Sequence, residues 1–182
     1  MALTESRDLP LGGPCPDFRL RSVEGKTVAR DDFRDHPVLV VMFICNHCPY
    51  VQAVEDRIIE LQRVYGSRGV QLVGICSNDP TGYPDDRPER LLARWQEKRY
   101  GFPYLVDETQ ETARAFGAVC TPDLYVFDRE RRLAYHGRID DNWQSPAKVT
   151  RRELAGALDA LLAGGQPSRA QHHSIGCSIK WR

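Results

Sequence analysis

Residues 38–76 read VLVVMFICNHCPYVQAVEDRIIELQRVYGSRGVQLVGIC, and this stretch decides the fold. Val38 to Ile44 form a continuous apolar run of strand length, rich in β-branched residues, as a strand buried on both faces would be. After CNHCPYV the period changes. Val51, Val54, Ile58, Leu61 and Val64 recur at three- and four-residue spacings, the stripe of an amphipathic helix. Pro49 suits the first helical position and Gly66 the stop, so the spacing predicts a helix over 49–65. Val70 to Cys76 is a second apolar strand. Strand, helix and strand at this spacing form a β-α-β unit, whose two strands run parallel.

On the N-terminal side, alternation over residues 14–29 broken by Glu24-Gly25 predicts a β-hairpin. On the other side, Ser77–Arg87 is a loop crowded with Asp, Pro and Gly. A helix is expected from Pro88 to about Tyr100, carrying Leu91, Leu92 and Trp95, with Gly101 as its stop. Pro103–Val106 reads as a short strand. Asp107 with Gln110 resembles a capping box for a helix ending at Gly117. Leu124–Phe127 and Leu133–His136 pair around the charged turn Asp128–Arg132. Thr150 with Glu153 makes a second capping box, for a last helix carrying Leu154, Leu158, Leu161 and Leu162 before Gly164-Gly165. Residues 166–182 show no period and read as a tail packed on or near the domain formed by residues 1–165.

The chain has 182 residues, enough for one domain with a real core. Lysine plus arginine number 25 and so do aspartate plus glutamate, so the basic excess that a nucleic-acid or anionic-membrane surface needs is missing. MALTESRDLPLGGPCPDF contains no apolar run that could act as a signal peptide. No stretch approaches the roughly 18 apolar residues of a membrane helix, and the expected address is the cytoplasm. Six cysteines in such a reducing compartment point to catalysis or metal binding rather than structural disulfides.

Cys48 immediately precedes Pro49 and so caps the predicted helix. There the unpaired backbone N–H groups and the positive helix end face its sulfur. Thiols so placed titrate at roughly 3.5–7.5, against about 8.5 when free. Cys45 lies at the strand end, outside that field. To form a disulfide with Cys48 its Cα must come within roughly 7 Å, whereas three extended residues span about 10 Å, so Asn46-His47 must turn. Cys45 therefore reads either as a resolving thiol or as a strand end. His47 reads either as a tuner of Cys48 or as a solvated loop residue, and Cys15 and Cys76 as buried structural thiols.

The whole order of elements, with Thr121-Pro122 placed before a hairpin and a last helix, resembles the thioredoxin fold. That implies an α/β architecture with a central mixed β-sheet flanked by helices, extended by the N-terminal hairpin. GGPCPDFRL, GKTV, DDF and VLVVMF resemble the peroxiredoxin branch, the alkyl hydroperoxide reductase/thiol-specific antioxidant proteins. NHCPYV, SND, YPDDRPE, GAVCTPD, GRIDD and SIGCSIKW are similar to a peroxiredoxin-like (redoxin) subgroup of that superfamily.

The resemblance implies a thiol-based, antioxidant-type oxidoreductase in which Cys48 is the nucleophile. Cys48 also lies five residues after Phe43, the distance at which thioredoxins place their first active cysteine. Thr121-Pro122 corresponds to the cis-proline dipeptide that presents backbone to an extended thiol substrate. Arg138, at the end of the last strand, is either a stabiliser of the thiolate or a solvated arginine. Cys177, in the GCSIKW ending, is a second candidate for the resolving thiol, and Cys120 lies near the site without an assigned duty. The expected partners are a disulfide or peroxide substrate and a cytoplasmic dithiol reductant. No bound cofactor is expected, and a homodimer is left open.

Both redox subclasses show departures. The peroxiredoxin pattern P-x-x-x-[TS]-x-x-C, laid on Cys48, puts Val41 at the proline and Cys45 at the hydroxyl residue. Thioredoxin's second cysteine would fall on Val51. The alternative reading is a metal-binding protein, in which Cys45, His47 and Cys48 supply soft ligands to copper or zinc and His172 and His173 add nitrogen donors. A redox-inert interaction module is a third reading, and the position of Cys48 argues against it.

Overall fold

The computed structural model describes residues 3–182. In chain order the elements begin with strands β1 (Leu3–Glu5), β2 (Arg19–Ser22), β3 (Thr27–Ala29) and β4 (Val38–Phe43), then helix α1 (Pro49–Tyr65) and strand β5 (Val70–Cys76). Next come α2 (Pro88–Lys98), β6 (Tyr104–Val106), α3 (Glu111–Phe116), β7 (Cys120–Thr121) and β8 (Asp123–Phe127). The last are β9 (Leu133–Gly137), α4 (Glu153–Leu162) and β10 (Ile175–Ser178). No helix among the described residues is long and apolar enough to cross a membrane.

The strands form a mixed sheet in the order β3-β2-β6-β5-β4-β8-β9. Strand β4 lies inside it, parallel to β5 and antiparallel to β8, and all of its residues are buried. Its alternating side chains therefore serve two cores. Val38, Val40 and Met42 pack with Val51, Val54 and Ile58 of α1 and with Leu154 and Leu158 of α4. Leu39, Val41 and Phe43 pack on the other face with Phe18, Phe33, Ala113 and Phe116. Each such side chain contributes roughly 1.5–3 kcal/mol of hydrophobic stabilisation, which anchors β4 and α1 in the core. The predicted hairpin is present as β2 and β3, and β2 also joins the main sheet by pairing with β6.

Several local expectations are corrected. Helix α1 does end at Tyr65 with Gly66 as its cap residue, but Gly66 does not reverse the chain. It keeps right-handed angles, and a short 3-10 turn follows until Gly69, at φ 96°, reverses the chain. The Asp107 box fails in part. Asp107 does accept the Ala113 N–H (2.9 Å), but the buried Gln110 gives its amide to the carbonyls of Ser77 (2.7 Å) and Lys180 (2.8 Å). The Thr150 box also fails, because Thr150 bonds Asp141 while Glu153 receives Arg138.

Within residues 166–182, where the sequence shows no period, the chain forms β10. This strand is the middle of a separate antiparallel sheet, β1-β10-β7. Cys177 pairs with Thr121 and Ser178 with Cys120. Gly176 permits that approach, since a Cβ on it would lie 1.9 Å from the Thr121 carbonyl oxygen.

Candidate active site at the head of the first helix

Between β4 and α1 the chain must leave the sheet and enter a helix within a few residues, and one carboxylate organises the turn. Asp86 Oδ1 accepts the backbone N–H groups of Asn46 (2.8 Å) and His47 (3.1 Å). Its Oδ2 accepts from Asn78 Nδ2 (2.8 Å) and meets His47 Nδ1 at 2.5 Å. From the helix side, Gln52 Nε2 donates to the Asn46 carbonyl at 2.7 Å. Burial works to raise the pKa of Asp86, but the bonds from His47 and Asn78 outweigh it and hold the carboxyl below its usual range. Tyr83 stacks on the His47 ring with centroids 4.4 Å apart.

The turn delivers Cys48 to the cap of α1, with φ −77° and ψ 118°, and Pro49 in the first turn. Three sulfurs meet there. The side chains of Cys45 and Cys177 both lie near enough to Cys48 to stabilise its thiolate. Cys45 Sγ also lies 3.4 Å from Thr121 Oγ1 and 3.7 Å from His47 Nδ1. No disulfide joins any of the six cysteines.

The Cys48 thiol is pulled down to about 5, first by the hydrogen bond from Cys45, against burial, and then by Cys177, the Thr121 side chain and the Val51 N–H. The helix end thus contributes, but the neighbouring thiol contributes more. The Thr121 carbonyl, 3.1 Å from the sulfur, accepts from the thiol form and opposes ionisation, though it faces several donors. The partners move the other way. Burial, then the bond to Cys48, raises Cys45 well above the ordinary thiol range and Cys177 to about 12. Burial, aided by nearby carboxylates, raises Cys15 to about 12 and keeps Cys76 and Cys120 protonated. Only Cys48 is arranged to be a thiolate.

The Thr121–Pro122 peptide bond is cis, as the resemblance implies. Arg138 is committed elsewhere, donating through Nε and Nη2 to Glu153 Oε1 at 3.0 and 2.5 Å. It lines a groove beside Tyr50, Pro122 and Trp143. His173 lies against Ser6 and Asp8, so the tail histidines do not complete the metal set expected with Cys45, His47 and Cys48. Instead, the ligand atoms of Cys45, His47 and Asp86 lie within 4.8 Å of one another. That trio fits a metal poorly, because both Asp86 oxygens already accept two bonds each and one partner is His47 itself. Asp86 is the residue that sequence reasoning missed. Its only signal was its place in YPDDRPE.

A strand leading through a cysteine-bearing turn into a helix, opposite a cis proline, defines a protein of the thioredoxin-like class. Residues 11–136 match the AhpC/TSA family, and the chain belongs to it. Among solved structures, an uncharacterized conserved protein from Geobacillus kaustophilus is 44% identical over 100% of this chain and 97% of its own, with a TM-score of 0.95. A hypothetical protein from Sinorhizobium meliloti 1021 is 41% identical over 98% of both chains, also at 0.95. A curated relative, the thiol-disulfide oxidoreductase ResA of Bacillus thuringiensis subsp. konkukian, is 21% identical over 71% of this chain and 70% of its own.

Proposed function

We propose that the protein is a thiol-disulfide oxidoreductase with Cys48 as its nucleophile. The observation that carries this reading is Cys48 at the α1 cap, 3.1 Å from the carbonyl before the cis proline, with the buried thiols of Cys45 and Cys177 near it to finish the reaction. The Cys48 thiolate attacks one sulfur of a substrate disulfide, forming a mixed disulfide and releasing the other half as a thiolate. A second protein thiol, Cys45 or Cys177, loses its proton and attacks the Cys48 sulfur, releasing the remaining half. Two electrons pass to the substrate, and the protein is left with one disulfide. A cytoplasmic dithiol protein returns the electrons. The scheme needs no bound cofactor.

In the peroxide version Cys48 would become a sulfenic acid as the peroxide leaves as an alcohol or water. Its support is weaker. Val41 stands at the pattern's proline but belongs to the core on the face of β4 away from Cys48, so it shields nothing at the sulfur. Rapid mixing of the reduced protein with cystamine and, separately, with hydrogen peroxide tests the choice. The expected result is faster loss of the Cys48 thiolate with cystamine, abolished in Cys48→Ala. Faster loss with peroxide would reverse the assignment.

A further inference from the structure

Cys48 has 0% of its surface exposed, and Cys45, Thr121 and Cys177 have no more than 2%. A nucleophile must be reached, so some element has to leave. Strands β4 and β8 and helix α1 make the core and cannot move without losing it. Strand β10 is different, because it meets β7 over two residue pairs and its remaining pairs are with the short strand β1. Its ends are held by polar clamps, with Ile179 just past the strand buried among the apolar residues of the second core. Ser174 bonds Ser6 and the Gly137 carbonyl (2.7 Å), the Lys180 N–H bonds Asn78 (2.8 Å), and Gln110 receives the Arg182 N–H (2.9 Å).

What β10 covers has the form of a substrate seat. It is an extended segment, antiparallel to the residue before the cis proline, with a cysteine opposite Thr121, whose carbonyl oxygen lies 3.1 Å from the Cys48 sulfur. We infer that this seat takes an extended polypeptide whose disulfide cysteine follows a glycine, and that β10 occupies it as a displaceable stand-in, with Cys177 at the place of the substrate cysteine. The inference rests on the oxidoreductase reading and adds its substrate class. The glycine requirement follows from Gly176, since a side chain in that register would enter the Thr121 carbonyl, 1.9 Å away. Antiparallel pairing of the substrate to β7 replaces the backbone bonds that β10 makes there.

The probes are the peptide Ser-Ile-Gly-Cys-Ser-Ile-Lys and its counterpart with alanine before the cysteine, each as a mixed disulfide with thionitrobenzoate. Cys48 forms its S–S bond to the peptide sulfur as coloured thionitrobenzoate departs as a thiolate. The glycine peptide should react faster by about tenfold or more, the usual range for one methyl group in a fitted site. Gly176→Ala, which pushes β10 off β7, and Gln110→Ala, which loosens its far clamp, should each accelerate the reaction. Hydrogen exchange is then read on the Cys48–peptide adduct trapped in Cys45→Ser. Amides of residues 176–179 should lose protection while those of β8 keep theirs.

Equal rates for the two peptides, or an adduct in which 176–179 stay protected, would overturn the inference even if cystamine oxidises Cys48 readily. A Cys48 inert to cystamine and to both peptides, in wild type and in Gly176→Ala, would instead bring down the oxidoreductase reading, and this inference with it.

Discussion

Asp86 Oδ2 lies 2.5 Å from His47 Nδ1 across a sequence separation of 39 residues, and the same carboxylate holds the N–H groups of Asn46 and His47. The geometry of the Cys45–Cys48 turn is therefore set from a distant loop. Asp86→Ala leaves those buried N–H groups without a partner and should cost about 1–3 kcal/mol of stability. Denaturant unfolding checks this. A midpoint unchanged from wild type would show that the turn holds itself.

The second prediction concerns pH. Thiolate absorbance in the ultraviolet should appear with a midpoint at about 5 and be absent from Cys48→Ala. Because Cys45 is the largest cause of the shift, Cys45→Ala should move the midpoint upward. Cys48 is lowered in the folded state, so its contribution to stability is full above the unfolded thiol value of roughly 8.5 and gone once pH falls through about 5. Cys177 is raised, so its contribution is full below the unfolded value and is lost as pH rises toward about 12. A midpoint unmoved in Cys45→Ala would transfer the main role to the helix end.

Arg138 provides the third prediction. Its guanidinium is bonded to Glu153, so Arg138→Ala should leave the thiolate midpoint of Cys48 in place while destabilising the fold by about 1–3 kcal/mol, through the loss of a partner to a mostly buried carboxylate. Titration and unfolding of the same variant separate the two effects. A raised midpoint would restore Arg138 to the site.

What could be read from the sequence divides by range. The β4-α1-β5 unit is legible because period and caps are local, and Cys48 is legible because a helix cap lies beside its own proline. Thr150 and Glu153 have the right spacing for a capping box, but Asp141 and Arg138, which no local rule pairs with them, take both side chains. Asp86 sits in an aperiodic loop, and its role exists only once β4 and β5 are parallel neighbours. Strand β10 is too short to show a period. Its identity as a strand comes from β1 and β7, whose residues lie far away in the chain.

The last prediction is which thiol resolves. Both Cys45 and Cys177 lie near enough to Cys48 to stabilise its thiolate, so proximity in the closed state does not choose between them. The order of events does. While a substrate strand sits against Thr121, the place of Cys177 is taken. Cys45 stays beside Cys48 because its turn is pinned by Asp86 and Gln52 and does not depend on β10. Closing the short loop between Cys45 and Cys48 also costs little chain entropy. Cys45→Ser should therefore accumulate the Cys48–peptide mixed disulfide, whereas Cys177→Ser should release reduced peptide and show a Cys45–Cys48 disulfide on peptide mapping. If instead the mixed disulfide builds up in Cys177→Ser and turns over normally in Cys45→Ser, then β10 returns before resolution, and Cys177 completes the reaction as it expels the product strand.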